Sequence, residues 1–161
     1  MKQNKLHYTP EIVYASDVTE STLPVRSAAA IVIYNEERKI LLAKRSQFVG
    51  EFKGVWSLPS KFIPEKVNEN QTAKILSQSL QEWFSIPLDE TALVGRRMAL
   101  RKEWRLLMHL FKTQINFTPK LSTDKYEDLK WVDGTTFFSQ YNYDTLGDCA
   151  KAYLHYKKAD F

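Results

Sequence analysis

Gly54–Ile86 reads GVWSLPSKFIPEKVNENQTAKILSQSLQEWFSI, and its pattern decides the fold. A short aromatic strand (Val55, Trp56, Leu58) is broken by Pro59, and a polar loop follows. Leu76, Leu80, Trp83 and Phe84 then fall on one stripe of a helix, the side that buries itself against a sheet. The spacing predicts an amphipathic helix over about 70–85.

Working outward, Ala28–Tyr34 (AAAIVIY) is an uninterrupted apolar run, consistent with a buried central strand. Asn35–Arg38 turns it into a second strand, Lys39–Ala43, and the two read as a hairpin. Beyond the helix, Pro87 supplies a stop. Ala92–Leu100 and Trp104–Phe117 read as long strands around a charged turn, and Leu129–Val132 as a short one. A closing helix is expected over about 144–157, with Leu146, Ala150, Tyr153 and Leu154 inward. Residues 1–26, interrupted by Pro10 and Pro24, read as an N-terminal arm or extension, with His7–Ala15 a strand or arm packing on the rest. Residues 27–161 read as a single domain. Strands, a helix, more strands and a final helix make a mixed α/β sandwich.

Composition narrows the functional classes. With 161 residues and 43% hydrophobic content, the chain can bury a proper core. Its net charge of +4 suits a protein that handles phosphorylated ligands but falls short of a nucleic-acid-binding stripe. A single cysteine, Cys149, excludes an intrachain disulfide and a CxxC metal site. No apolar run approaches the ~20 residues of a membrane span. The N-terminus lacks the apolar centre of a secretory signal, so the cytoplasm is the expected compartment. GxSxG, GxxxxGK[ST] and HExxH are missing, and His7, His109 and His155 show no ligand spacing.

With WSLP ahead of the loop, the opening segment resembles the Nudix box of the Nudix hydrolase superfamily, G-x5-E-x7-R-E-U-x-E-E-x-G-U, where U is a bulky aliphatic residue. Anchoring the pattern's end on Ile86 places its aliphatic positions on Leu80 and Ile86 and the first of its paired glutamates on Glu82. The Arg-Glu pair reads Gln78-Ser79, the second glutamate reads Trp83, and the helix-ending glycine reads Ser85. The resemblance implies a Nudix-like α/β/α sandwich with a mixed sheet over roughly residues 26–158. It also implies that one helix face holds Mg²⁺ or Mn²⁺ against a diphosphate, and that the backbone after Leu-Pro approaches both closely. That face here is Ser79, Glu82 and Trp83, which retains one carboxylate. Ser60-Lys61 stands where the family usually has two glycines. Counted forward, the pattern's isolated glutamate falls on Val67, and counted back from the helix it falls on Asn70, so the loop is about three residues longer than the pattern.

The resemblance makes Glu82 the catalytic and metal-binding residue of an active enzyme. Glu65 and Glu69 in the lengthened loop, and Glu127 ahead of Trp131, are the substitute metal ligands. Arg45 and Lys61 are expected on phosphates, and Phe48 and Trp56 on a base or pocket wall. Against these stand ordinary roles: solvated loop carboxylates, a solvated basic surface, and aromatic residues of the core. The residues favour a phosphate-compatible pocket for a nucleoside diphosphate-type ligand, with hydrolysis impaired or absent. An active Nudix hydrolase using Mg²⁺ or Mn²⁺ and substitute carboxylates is the first alternative. A degenerate domain that binds RNA or a protein is the second. The expected ligand is a nucleotide-like small molecule, the chain admits a homodimer, and no membrane association is expected.

Overall fold

The computed structural model describes residues 12–14, 22–47, 53–64, 66–87, 91–100 and 103–134. The expected closing helix, Cys149, Phe48 and Glu65 lie outside them. The described elements are β1 (Ile12–Tyr14), β2 (Val25–Tyr34), β3 (Ile40–Arg45), β4 (Trp56–Ser57), β5 (Ser60–Ile63), α1 (Glu69–Phe84), β6 (Ala92–Leu100), β7 (Arg105–Gln114) and β8 (Tyr126–Val132).

β2 is the spine of an eight-stranded mixed sheet ordered β1-β6-β7-β2-β3-β4, with β5 also on β2 and β8 also on β3. Its apolar run divides by alternation, because successive strand side chains point to opposite faces. Ala28, Ala30, Val32 and Tyr34 join Ile40, Leu42, Leu58, Leu106, Met108 and Leu110 on one side. Ala29, Ile31 and Ile33 meet Leu76, Leu80, Phe84 and Ile86 on the other, under α1. Ala29 through Ile33 are all 0% exposed, which explains why this segment carries no polar alternation. β7 runs parallel to β2 along its whole length, from Val25↔Arg105 to Tyr34↔Gln114, and β6 pairs antiparallel with β7. β1 adds to β6 in parallel, so Ile12–Tyr14 packs on the domain.

The β2–β3 turn is built on Asn35. Its Oδ1 accepts from the backbone N–H groups of Glu37 (3.0 Å) and Lys39 (2.9 Å), while Arg38 adopts φ 63°.

Two elements differ from the sequence expectation. Ser60–Ile63, which follows Pro59 and reads as loop, is strand β5, pairing antiparallel with β2 from Ser27↔Ile63 to Ala30↔Ser60. β3 reaches β2 only at Tyr34↔Ile40, so β5 covers a stretch of edge that β3 leaves. β8 begins at Tyr126, three residues before the expected Leu129, because β3 supplies partners for its polar start.

α1 begins one residue before its expected start and ends one before its expected end. Asn68 and Gln71 form a capping box: each side chain accepts from the other's backbone N–H at 2.8 Å. At the other end Ser85 takes the left-handed conformation (φ 55°, ψ 38°) and its N–H donates to Gln81 O, while Ile86 N–H donates to Leu80 O. Ile86, 0% exposed, then locks the chain into the core. Ser85 is where the Nudix pattern carries glycine, so the register drawn from Ile86 coincides with the left-handed residue that ends the helix.

A serine in that conformation is strained where glycine is not. Ser85→Gly should therefore raise unfolding stability by about 0.5–1 kcal/mol, after glycine's greater freedom in the unfolded chain is deducted. An increase in the urea midpoint with an unchanged slope checks this; a lower midpoint contradicts it.

Candidate functional site

The C-terminal half of α1 faces two other segments. The loop between β7 and β8 runs past the helix end, where Lys120 N–H donates to Phe84 O (2.8 Å) and Ser122 N–H to Trp83 O (2.7 Å). These bonds satisfy carbonyls that a helix terminus leaves without partners. The same loop then turns at Thr123, whose Oγ1 accepts from Lys125 N–H at 3.1 Å, and enters β8. The third segment is the chain after Leu58-Pro59, where β5 starts. Tyr126, 1% exposed, ties it to β8: its hydroxyl accepts from Ser60 N–H at 3.0 Å and lies 3.3 Å from Ser60 O.

Trp83 fills the angle among these segments. Its ring meets Tyr126 edge-on at 5.6 Å and Phe84 at 6.0 Å between centroids. The Lys125 ammonium donates to Ser60 O and lies 4.3 Å from the Trp83 ring centroid and 5.4 Å from that of Tyr126. Among the pattern's three acidic positions, Ser79 is buried and its Oγ has no hydrogen-bond partner among the described residues. Glu82 is exposed, and Trp83 is half-buried.

The other expected site residues disperse. Glu69 opens α1 and Glu82 lies near its end, roughly 20 Å apart along the axis at ~1.5 Å per residue, so the two cannot share one ion. Burial raises the Glu69 pKa, and Arg96 nearby partly opposes it. Glu127 ion-pairs with Lys44 (3.6 Å). Trp56 packs against the core on the sheet side away from α1, with the Lys130 ammonium 4.3 Å from its ring centroid. Lys61 stands opposite Ala29, on the α1 side. Arg45 stands opposite Tyr126, and Ser46 N–H donates to Lys125 O, so Arg45 and Lys125 share one end of the sheet. Among the described residues, no group of three or more His, Cys, Asp or Glu side chains gathers to hold a metal ion.

A hard cation such as Mg²⁺ wants several oxygen ligands in near-octahedral array. The α1 face offers one exposed carboxylate, a buried hydroxyl and an indole that carries an ammonium. That donor set does not fit a divalent metal. Local sequence gave little hint of this arrangement, since DKYEDLKW reads as a charged loop entering a strand. The one legible signal was Tyr126, an aromatic residue set among charges, which marks an inward side chain.

Solved structures with the same fold are numerous. A MutT protein from Methanosarcina mazei Go1 superposes with a TM-score of 0.72 at 16% identity, covering 88% of this chain and 99% of that one. The Nudix domain of NrtR from Shewanella oneidensis, solved with ADP-ribose, gives 0.64 at 15% identity over 99% of this chain and 97% of that one. The chain has the Nudix fold. A MutT Nudix hydrolase from Burkholderia pseudomallei gives 0.65 at 16% identity, over 82% of this chain and 97% of that one. No protein-family model and no curated protein matches the chain by sequence. In Nudix-fold terms the expected α/β/α sandwich with a mixed sheet stands. Among the described residues no helix is long and apolar enough to cross a membrane.

One further row crosses the α1 side of the sheet: Arg96 faces His109, His109 faces Ala29, and Ala29 faces Lys61. Burial, and secondarily the Arg96 charge, lower the His109 pKa from 6.5 to about 4. The imidazole is therefore neutral near pH 7.

Two outcomes follow for stability. Tyr126→Phe removes the acceptor of the buried Ser60 N–H and should cost about 1–3 kcal/mol in chemical denaturation. A cost near zero would mean that the hydroxyl does not hold β5. For His109 the folded pKa lies below the unfolded one, so the unfolded chain takes up the proton first. The stability present above pH 6.5 is lost as pH falls from 6.5 towards 4, by up to roughly 3 kcal/mol. A His109→Gln variant should show a flatter profile over that window in parallel melts; identical profiles would contradict the assignment.

Proposed function

We propose that this Nudix-fold protein binds a nucleoside diphosphate-type ligand without divalent metal and does not hydrolyse it efficiently. One observation carries the reading: the α1 face offers Ser79, Glu82 and Trp83, and the indole is occupied by the Lys125 ammonium. Hydrolysis of a phosphoanhydride in the manner implied by the Nudix box needs metal to neutralise the phosphates and activate water. A face with one exposed carboxylate supplies neither. The loss of a positioned general base alone costs about 10²–10⁴-fold in rate.

Binding is supported by other features. Lys61 and Arg45 are cations at the start of β5 and the end of β3, where charge-assisted hydrogen bonds to phosphate oxygens would form. The net charge of +4 favours an anionic ligand. The NrtR Nudix domain, whose structure contains ADP-ribose, covers nearly the whole of this chain in superposition, which makes ADP-ribose the first ligand to try.

Calorimetric titration with ADP-ribose, in EDTA and in Mg²⁺, tests the proposal alongside chromatography for cleavage products. The expected result is equal affinity in both buffers, no cleavage, and about tenfold weaker binding for Lys61→Ala and for Arg45→Ala. Metal-dependent cleavage that disappears in Glu82→Ala would overturn it in favour of a hydrolase. Lack of binding would turn the search to RNA or protein partners.

A further inference from the structure

Lys125 is held in place more firmly than a surface lysine. Its backbone is pinned on both sides, by Thr123 Oγ1 on its N–H and by Ser46 N–H on its carbonyl. Its side chain reaches three elements: the Ser60 carbonyl of β5, the Trp83 ring of α1 and the Tyr126 ring of β8. A backbone carbonyl oxygen and the faces of aromatic rings are surfaces that attract a cation. The wall they form is also the one at which the Nudix resemblance expects metal: the backbone after Leu58-Pro59 on one side, and the helix position that reads Trp83 on the other.

We infer that the Lys125 ammonium stands in the place of a divalent cation and is the fixed positive charge that the ligand's diphosphate meets. This rests on the binding role proposed above and names the group that makes it independent of metal. Trp83 within the box and Lys125 outside it explain each other. An indole at position 83 cannot ligate a metal but does accept an ammonium on its face, whereas a carboxylate there would need a cation of one kind or another. An ammonium can neutralise phosphate charge and donate hydrogen bonds. It has no open coordination position on which to acidify a water, so it recruits the diphosphate without supplying a nucleophile. Lys125 also lies near the C-terminus of α1, where a positive charge is favoured by the helix dipole, so it is stable there before any ligand arrives.

The test separates the place of the charge from its use. Mn²⁺ affinity is measured by the loss of free Mn²⁺ signal in electron paramagnetic resonance. The proteins are the parent, Trp83→Glu, Lys125→Ala and the double variant Trp83→Glu/Lys125→Ala, each checked for folding by circular dichroism. In Trp83→Glu alone the new carboxylate pairs with Lys125, so Mn²⁺ should bind no better than to the parent. The double variant vacates the place and adds a ligand beside Glu82, and should bind Mn²⁺ at least about tenfold tighter than either single variant. A role in capping or packing alone would give no such gain, and a folded double variant with the parent's Mn²⁺ affinity overturns the inference. The second arm titrates ADP-ribose in EDTA. Lys125→Gln should weaken binding at least about tenfold, while Lys120→Gln, an exposed lysine of the same loop, should not. Parental affinity in Lys125→Gln overturns the inference even if the double variant fails to fold. If the parent itself does not bind ADP-ribose, the proposed function fails, and the Mn²⁺ arm alone decides where the Lys125 charge stands.

Discussion

The structure depends on the burial of both faces and both edges of β2. A strand enclosed in this way must have every backbone N–H and C=O met by a neighbour, because a buried polar group without a partner costs about 1–3 kcal/mol. β7 meets one edge in unbroken parallel register from Val25 to Tyr34. The other edge is shared: β5 takes Ser27 to Ala30, the Pro59 carbonyl accepts from Ile31 N–H at 3.1 Å, and β3 takes Tyr34. That division draws the chain after Leu58-Pro59 into the sheet beside α1.

From there the consequences run through Tyr126. Ser60 has its N–H donated to the Tyr126 hydroxyl and its carbonyl against the Lys125 ammonium, so β8 and β5 are joined at their starts by adjacent residues. The loop that delivers Lys125 is itself tied to the last carbonyls of α1 through Lys120 and Ser122. Three segments distant in sequence thus converge at Trp83, and each is held by backbone bonds. Such a convergence keeps side chains in fixed relation, which a ligand-binding site requires whether or not it does chemistry.

The chemistry of that convergence is cationic. Where the box pattern calls for carboxylates that hold metal, this chain has a serine hydroxyl in the core, one carboxylate in solvent and an indole beneath an ammonium. Glu69 stands at the far end of α1 from Glu82, and Glu127 ion-pairs with Lys44. The Nudix fold is retained with one exposed carboxylate and one ammonium at that convergence, and the proposal of binding without turnover rests on that pairing.

The sequence by itself determined the elements whose signal is periodic. AAAIVIY reads as a buried central strand and is one, and the stripe of Leu76, Leu80, Trp83 and Phe84 reads as the inward side of a helix, which the structure bounds within one residue. Burial acts on each residue of such a run, so the pattern is local and legible. β5 and the start of β8 are different, because SKFI and YED carry no strong preference and become strands only because β2 and β3 have edges to fill. That the pattern's three acidic positions read Ser79, Glu82 and Trp83 was equally plain in the sequence. The contact between Lys125 and Trp83 was not, because the two lie far apart in the chain, in segments with no shared period. Only the tertiary structure decided that contact: Thr123 and Ser46 hold the Lys125 backbone and Ser60 accepts from its ammonium, and Ser46 and Ser60 come from segments far from it in the chain.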